Sequence, residues 1–85
     1  MSKLIVRIRD IIHSKGQNGI QHRDLYLRIH NSCSNDLYNY IINVMHELNL
    51  IEKLQVYGSK AVIYRETKDI YKLPVDKIIK NINII

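Results

Sequence analysis

The chain is predicted to fold as one small α+β domain that is mostly α: a three-helix core, a β-hairpin and an additional C-terminal helix. Three observations predict this class. Apolar residues recur at helical spacing in several separate segments. Two β-rich runs flank a glycine-containing loop around Gly58, which is typical of a hairpin. The length of 85 residues fits a single domain spanning 1–85, without a linker or an internal repeat.

The first helix is expected over residues 3–15. Its apolar residues follow the i, i+1, i+4, i+7, i+8 spacing of an amphipathic stripe. The stripe consists of Leu4, Ile5, Ile8, Ile11 and Ile12. Gly16 is expected to end the helix. Ile20 stands isolated among polar residues, so we expect it to pin the loop to the core or to pair as a strand of one or two residues.

Two further helices are expected over residues 22–30 and 35–48, separated by the polar turn 31–34. Ser34 or Ser32 is expected to cap the later helix, because their hydroxyls can accept from free N–H groups. In the earlier helix, Leu25, Ile29 and Tyr26 are expected to face the core. In the later helix the apolar positions are Leu37, Tyr38, Ile41, Ile42, Val44, Met45 and Leu48.

The pattern of residues 50–85 predicts a hairpin followed by a last helix. Residues 50–57 alternate, with Leu50 or Ile51, Leu54 and Val56 apolar, and residues 61–64 are β-rich. Pro74 suits the first turn of a helix over 74–85. Its apolar stripe consists of Val75, Ile78, Ile79, Ile82 and Ile85. This stripe either closes the core or buries against a second copy, and we expect it to be the interface of a homodimer.

Composition narrows the class of function. The net charge of +5, from 13 Lys and Arg against 8 acidic residues, favours a polyanionic partner, although many basic proteins bind no nucleic acid. No apolar run is long enough for a membrane span, and the N-terminus lacks the apolar region of a signal peptide, so an intracellular, cytoplasmic protein is expected. Cys33 is the only cysteine and the four histidines share no spacing, so neither a metal site nor a cofactor is predicted. Cys33 is expected to be an idle thiol, with an intermolecular disulfide as the alternative.

The order of elements resembles the winged helix-turn-helix family. Gly19-Ile20 followed by His22 to Leu25 is similar to the family's short strand and first motif helix. Ser34 to Leu48 resembles its recognition helix, which ends at a residue that tolerates positive φ, here Asn49. Val56 to Tyr64 resembles the wing. The resemblance covers residues 4–65, and it is closest to small bacterial and archaeal transcription regulators, including those of archaeal viruses and plasmids.

The resemblance implies sequence-specific binding to double-stranded DNA. Helix 35–48 would enter the major groove, and the wing, 54–64, would contact the backbone or minor groove. Asparagine side chains on the outward face of helix 35–48 could pair with adenine, while basic residues elsewhere in the chain would neutralise phosphates. The predicted DNA-binding residues are Arg23, Arg28, Ser34, Asn35, Asn39, Tyr40, Asn43, Tyr57, Ser59 and Lys60. Lys53 and Arg65, at the base of the wing, are expected to be ordinary solvated charges.

The predicted recognition helix also has features that favour a different function. It contains no Lys or Arg, and Asp36 and Glu47 would be repelled by phosphate. The alternative is therefore a winged-helix adaptor that contacts other proteins in a transcription or replication complex. An enzyme is not predicted, because no nucleophile–base pair, carboxylate pair or phosphate-cradling glycine loop is found. No small-molecule ligand is predicted either.

Overall fold

A computed structural model of the chain describes residues 2–55, 58 and 60–72. Within these residues the fold is α+β and mostly helical, with three α-helices and a three-stranded antiparallel sheet. The elements are α1 (Ser2–Ser14), β1 (Ile20–Gln21), α2 (His22–Ile29), α3 (Asn35–Glu47), β2 (Ile51–Gln55) and β3 (Val62–Glu66). Short 3-10 turns occupy Gly16–Asn18 and Ile70–Lys72. The predicted order of helices and hairpin is confirmed, including the two-residue strand at Ile20.

Some predictions fall on residues outside the described ranges. They concern the helix over 74–85, its proposed dimer stripe, and three positions in the wing. The residues are Val56, Tyr57, Ser59, Val75, Ile78, Ile79, Ile82 and Ile85.

The core lies where the three helices meet one face of the sheet. Each helix buries the apolar stripe that its periodicity predicts, and Tyr38 is 0% exposed. Leu4, Ile11, Tyr26, Leu37 and Val44 are partly buried around this core. The buried residues are Ile5, Ile8, Ile12, Ile20, Leu25, Ile29, Tyr38, Ile41, Ile42, Met45, Leu50, Ile51, Tyr64 and Ile70.

The sheet has the strand order β1-β3-β2, so the hairpin's second strand lies in the middle. Ile20 pairs with Tyr64 of β3, and Lys53 of β2 pairs with Tyr64 on the other side. Gly19 makes this approach possible. Its φ is +73°, and a Cβ atom there would lie 2.7 Å from Cγ2 of Ile63 and 2.8 Å from the carbonyl oxygen of Tyr64. Only glycine fits this site, because a side chain would be both strained and too close to the sheet.

Both ends of α3 are closed by local hydrogen bonds. The Ser34 hydroxyl accepts from the backbone N–H of Leu37 at 3.2 Å, so the N-cap is Ser34 and not Ser32. At the other end, Asn49 has φ +61° and donates to the carbonyl of His46, while Leu50 donates to the carbonyl of Met45. This pair of bonds is a Schellman motif. It turns the chain directly from α3 into β2, as the asparagine at position 49 predicts.

Two apolar positions of the predicted pattern are wrong. Leu48 was assigned to the buried face of α3, but it is the C-cap and is 46% exposed. The chain already leaves the helix there, so the helical periodicity no longer directs the side chain inward. Leu54, an apolar position of the alternating run, would face the core if the alternation held, but it is 37% exposed. β2 is an edge strand that runs away from the core after Ile51, and its residues 52–55 are exposed on both faces.

Candidate nucleic-acid interface

The outward face of α3 is polar and accessible. Asn35, Asn39 and Asn43 are exposed, as the helical spacing predicts, and so are Asp36 and Glu47. Tyr40, also predicted to face outward, is half-buried and packs against the core. Its ring therefore contributes less surface to this face than its position along the helix predicts. Ser34 is exposed, but its hydroxyl is engaged in capping the helix.

A lysine from the neighbouring strand supplies positive charge to this face. Nζ of Lys53 donates to Oδ1 of Asn43 at 3.1 Å. Lys53 forms no ion pair with any residue in the described ranges. Sequence reasoning missed this contact and assigned Lys53 to ordinary solvent. The missing information is that β2 turns back beside the middle of α3, and no local pattern predicts that placement.

Arg23 and Lys60 come together at the start of α2. Both are exposed, and together with His22 and Gln21 they line a hollow of about 260 Å³ between the start of α2 and the segment that leads into β3. The antiparallel pairing of β1 with β3 explains the approach, because Gln21 lies opposite Ile63. The residues that follow Gln21 therefore approach the residues that precede Ile63, and both groups line the hollow. The structure thus joins two cations that the sequence singled out separately.

The position of His22 in this hollow is set by two buried tyrosines. Nδ1 of His22 lies 2.9 Å from the hydroxyl of Tyr64 and 3.2 Å from the hydroxyl of Tyr38. The Tyr38 hydroxyl also lies within hydrogen-bonding distance of the His22 carbonyl oxygen, at 3.4 Å. Burial raises the pKa of both phenols, and for Tyr38 the nearby Tyr64 and Cys33 raise it further. Both tyrosines therefore stay neutral and serve as fixed hydrogen-bonding partners.

Arg28 lies apart from Arg23 and Lys60. It is exposed near the end of α2 and lines a second hollow, of about 270 Å³, together with Lys15 and Asp24. Arg7 of α1 donates to the Arg28 carbonyl at 3.2 Å, which brings another guanidinium group close to this side. Of the three arginine and lysine residues predicted to bind phosphate, the structure brings two together and separates Arg28 from them.

Arg65, at the base of the wing, is neutralised. Its guanidinium group forms an ion pair with the carboxylate of Glu52 on the adjacent strand. The register of the hairpin places these two residues directly opposite each other. Arg65 is therefore less available to a polyanion than Lys53 or Lys60, and it is an ion-paired charge where a solvated one was expected.

Other kinds of site find little support in the described part of the chain. It contains no group of three or more His, Cys, Asp or Glu side chains that would hold a metal ion. Cys33 is half-buried, and desolvation raises the pKa of its thiol, which disfavours the reactive thiolate. None of the described helices has the length and apolar character of a membrane span.

Comparison of the chain with known protein families, curated proteins and solved structures gave no match. We therefore infer the function from the polar face of α3, from Lys53 beside it, and from Arg23 and Lys60 at the start of α2.

Proposed function

We propose that this chain is a winged helix-turn-helix protein that binds double-stranded DNA and acts as a transcriptional regulator. Three helices, a short first strand and a hairpin that follows α3 through Asn49 support this assignment. In that arrangement α3 enters the major groove and the hairpin flanks the backbone or minor groove. The proposed mechanism is occupation of a site near a promoter in the cytoplasm of a prokaryotic cell, or in the host cell if the source is an archaeal virus.

The observation that carries the proposal is the contact of Lys53 with Asn43 on the exposed face of α3, together with two cations at the start of α2. Lys53 lies against Asn43, and Arg23 and Lys60 share a hollow at the start of α2. None of these three cations forms an ion pair within the described residues, so each is available to contact DNA. The asparagine amides offer hydrogen bonds to base edges. Cations from neighbouring elements thus compensate for the absence of Lys and Arg on α3.

The remaining predicted contacts extend this surface. Arg28 would meet phosphate further along the duplex, and Tyr57 and Ser59 of the predicted wing would contact the DNA backbone. Ser34 and Asn35 would contact the groove edge at the start of α3. We further propose that residues 74–85 form a homodimer, which would present two copies of α3 to half-sites about one DNA turn apart.

A direct test is equilibrium binding of the purified protein to mixed-sequence duplex DNA at two salt concentrations. If Arg23, Arg28 and Lys60 each neutralise one phosphate, the affinity should fall roughly 40-fold between ~50 mM and ~200 mM salt. A titration at the lower salt concentration without binding would overturn the proposal.

The second candidate is a protein-binding adaptor with the same fold. Two observations favour it: Asp36 and Glu47 are exposed on α3, and the apolar side chains of Leu48, next to Glu47, and of Leu54 in β2 are exposed as well. Exposed leucines are more typical of a protein interface than of a DNA-binding face. The adaptor predicts that Leu48→Ser or Leu54→Ser abolishes capture of a partner protein while duplex DNA binds neither variant nor wild type.

A further inference from the structure

The contact between Lys53 and Asn43 fixes which hydrogen-bonding groups α3 presents. A lysine ammonium group has three donors and no acceptor, so the amide of Asn43 must direct its oxygen toward Lys53. The amide NH2 group of Asn43 is then left to face outward. Both side chains are exposed, so the pair is accessible from solvent.

The pair therefore offers mostly hydrogen-bond donors, because Lys53 occupies one of the two lone pairs of the Asn43 oxygen. Asn43 contributes its NH2 group, and Lys53 has N–H groups beyond the one directed at Asn43. In the major groove, adenine presents one acceptor and one donor, so an asparagine needs both its oxygen and its nitrogen to pair with it. Guanine presents two acceptors, N7 and O6. A donor-rich pair is more complementary to guanine, which accepts from two donors, than to adenine, which accepts from one.

The backbone on both sides holds the two residues together. Asn43 lies in the middle of α3, and Lys53 is the central residue of β2, paired with Tyr64. The carboxylate nearest in sequence, Glu52, is engaged by Arg65. Within the described ranges no carboxylate competes with Asn43 for the Lys53 ammonium group.

Asn39, one turn earlier on α3, is in a different situation. Asn39 is exposed, and its side-chain amide has no hydrogen-bonding partner among the described residues. Its amide keeps both a donor and an acceptor, which is the combination that pairs with adenine. Two asparagines on one helix face are thus chemically unequal because of one lysine on a neighbouring strand.

We infer that Lys53 is a specificity-determining residue: it turns Asn43 into a reader of guanine, while Asn39 reads adenine. This inference rests on the proposed DNA-binding function, and it names the base that each position prefers. Lys53 acts by donating to the base and by occupying one lone pair of the Asn43 oxygen.

The test is selection of bound fragments from a pool of random duplex DNA, using the full chain and three variants. The wild type should select guanine at the position whose preference disappears in Asn43→Ala. In Lys53→Met the oxygen of Asn43 is released, so the preference at that same position should change from guanine to adenine by roughly tenfold. Lys53→Thr, which is too short to reach Asn43, should behave in the same way and provides a second variant if Lys53→Met folds poorly.

Lys60→Met is the matched control, because it removes the same charge without touching Asn43. It should weaken binding to all sequences and leave the selected bases unchanged. The inference is overturned if folded Lys53→Met and Lys53→Thr both select the wild-type base, or if the wild type selects adenine at the Asn43 position. In either case duplex binding persists and only the role of Lys53 fails. Failure of the wild type to retain any duplex would overturn the proposed function together with the inference.

Discussion

The hydroxyl of Tyr64 in β3 lies 2.9 Å from Nδ1 of His22, the first residue of α2. Tyr38 of α3 approaches the same nitrogen at 3.2 Å, so one imidazole group connects α2, α3 and the central strand. His22 also lines the hollow that holds Arg23 and Lys60. The positions of these cations relative to α3 therefore depend on a buried polar contact in addition to apolar packing.

This network predicts a loss of stability at high pH. Tyr38 and Tyr64 have pKa values raised by burial above the usual value of about 10. Below pH about 10 the folded and the unfolded chain both keep the phenolic protons, so these groups do not change the free energy of unfolding. Above it the unfolded chain releases protons that the folded chain keeps, so the free energy of unfolding should fall as the pH rises. Urea unfolding of the wild type and of Tyr64→Phe across this range measures the effect.

Tyr64→Phe should lose less stability between neutral and high pH than the wild type, because one of the two phenols is gone. Tyr71→Phe is the control, since Tyr71 is 58% exposed and its variant should follow the wild type. If the free energy of unfolding fell equally with pH in the wild type and in Tyr64→Phe, the raised pKa of Tyr64 would not be the cause of the loss.

Gly19→Ala should strongly destabilise the fold. Its φ of +73° disfavours a side chain, and the new Cβ would lie 2.7 Å from Ile63 and 2.8 Å from the Tyr64 carbonyl. The backbone strain costs about 1–3 kcal/mol, and the close contacts with β3 add to it. Gly16→Ala is the matched control, because its φ is +56° but nothing lies within 4 Å of the added atom. Thermal unfolding should show a clearly larger loss for Gly19→Ala, and equal losses would mean that β1 does not approach β3 as described.

Much of this fold follows from local sequence patterns. Helical spacing predicts α1 and α3 because isoleucine and leucine stripes are strong signals, and Asn49 predicts the sharp exit from α3 because few residues tolerate positive φ. Contacts between segments distant in sequence were not predictable in the same way. The approach of Lys53 to Asn43 and the link between His22 and Tyr64 depend on how the elements pack. Leu54 was misplaced for the same reason, since alternation does not reveal that a strand leaves the core.

Ser34→Ala should shorten or loosen the start of α3. The Ser34 hydroxyl accepts from the Leu37 N–H at 3.2 Å, and loss of an N-cap typically costs about 0.5–2 kcal/mol. Ser32→Ala is the control in the same turn, because Ser32 has no capping contact among the described residues. The free energy of unfolding from urea titrations compares the two variants. An equal effect from both would show that Ser34 does not cap the helix.

Removal of the cations at the hollow should reduce the salt dependence of DNA binding. Arg23→Gln and Lys60→Gln should each lower the slope of log affinity against log salt by roughly 0.9, because each releases one phosphate contact. Lys72→Gln is the control, since its ammonium group is paired with Asp69 at 3.1 Å. Fluorescence anisotropy with a labelled duplex measures the slopes. An unchanged slope in the double variant would show that the hollow does not face the phosphates.

The most direct test of the central claim is to map the DNA-contacting surface by NMR, adding a short duplex to the ¹⁵N-labelled protein at low salt. The DNA-binding account predicts that the largest amide shifts occur at Asn39 and Asn43 on α3, at Lys53, and around Arg23 and Lys60. The exposed side of α1, including Lys3, should change little. Shifts concentrated on α1, or an unchanged spectrum at saturating duplex, would contradict the claim that α3 and its neighbouring cations form a DNA-binding face.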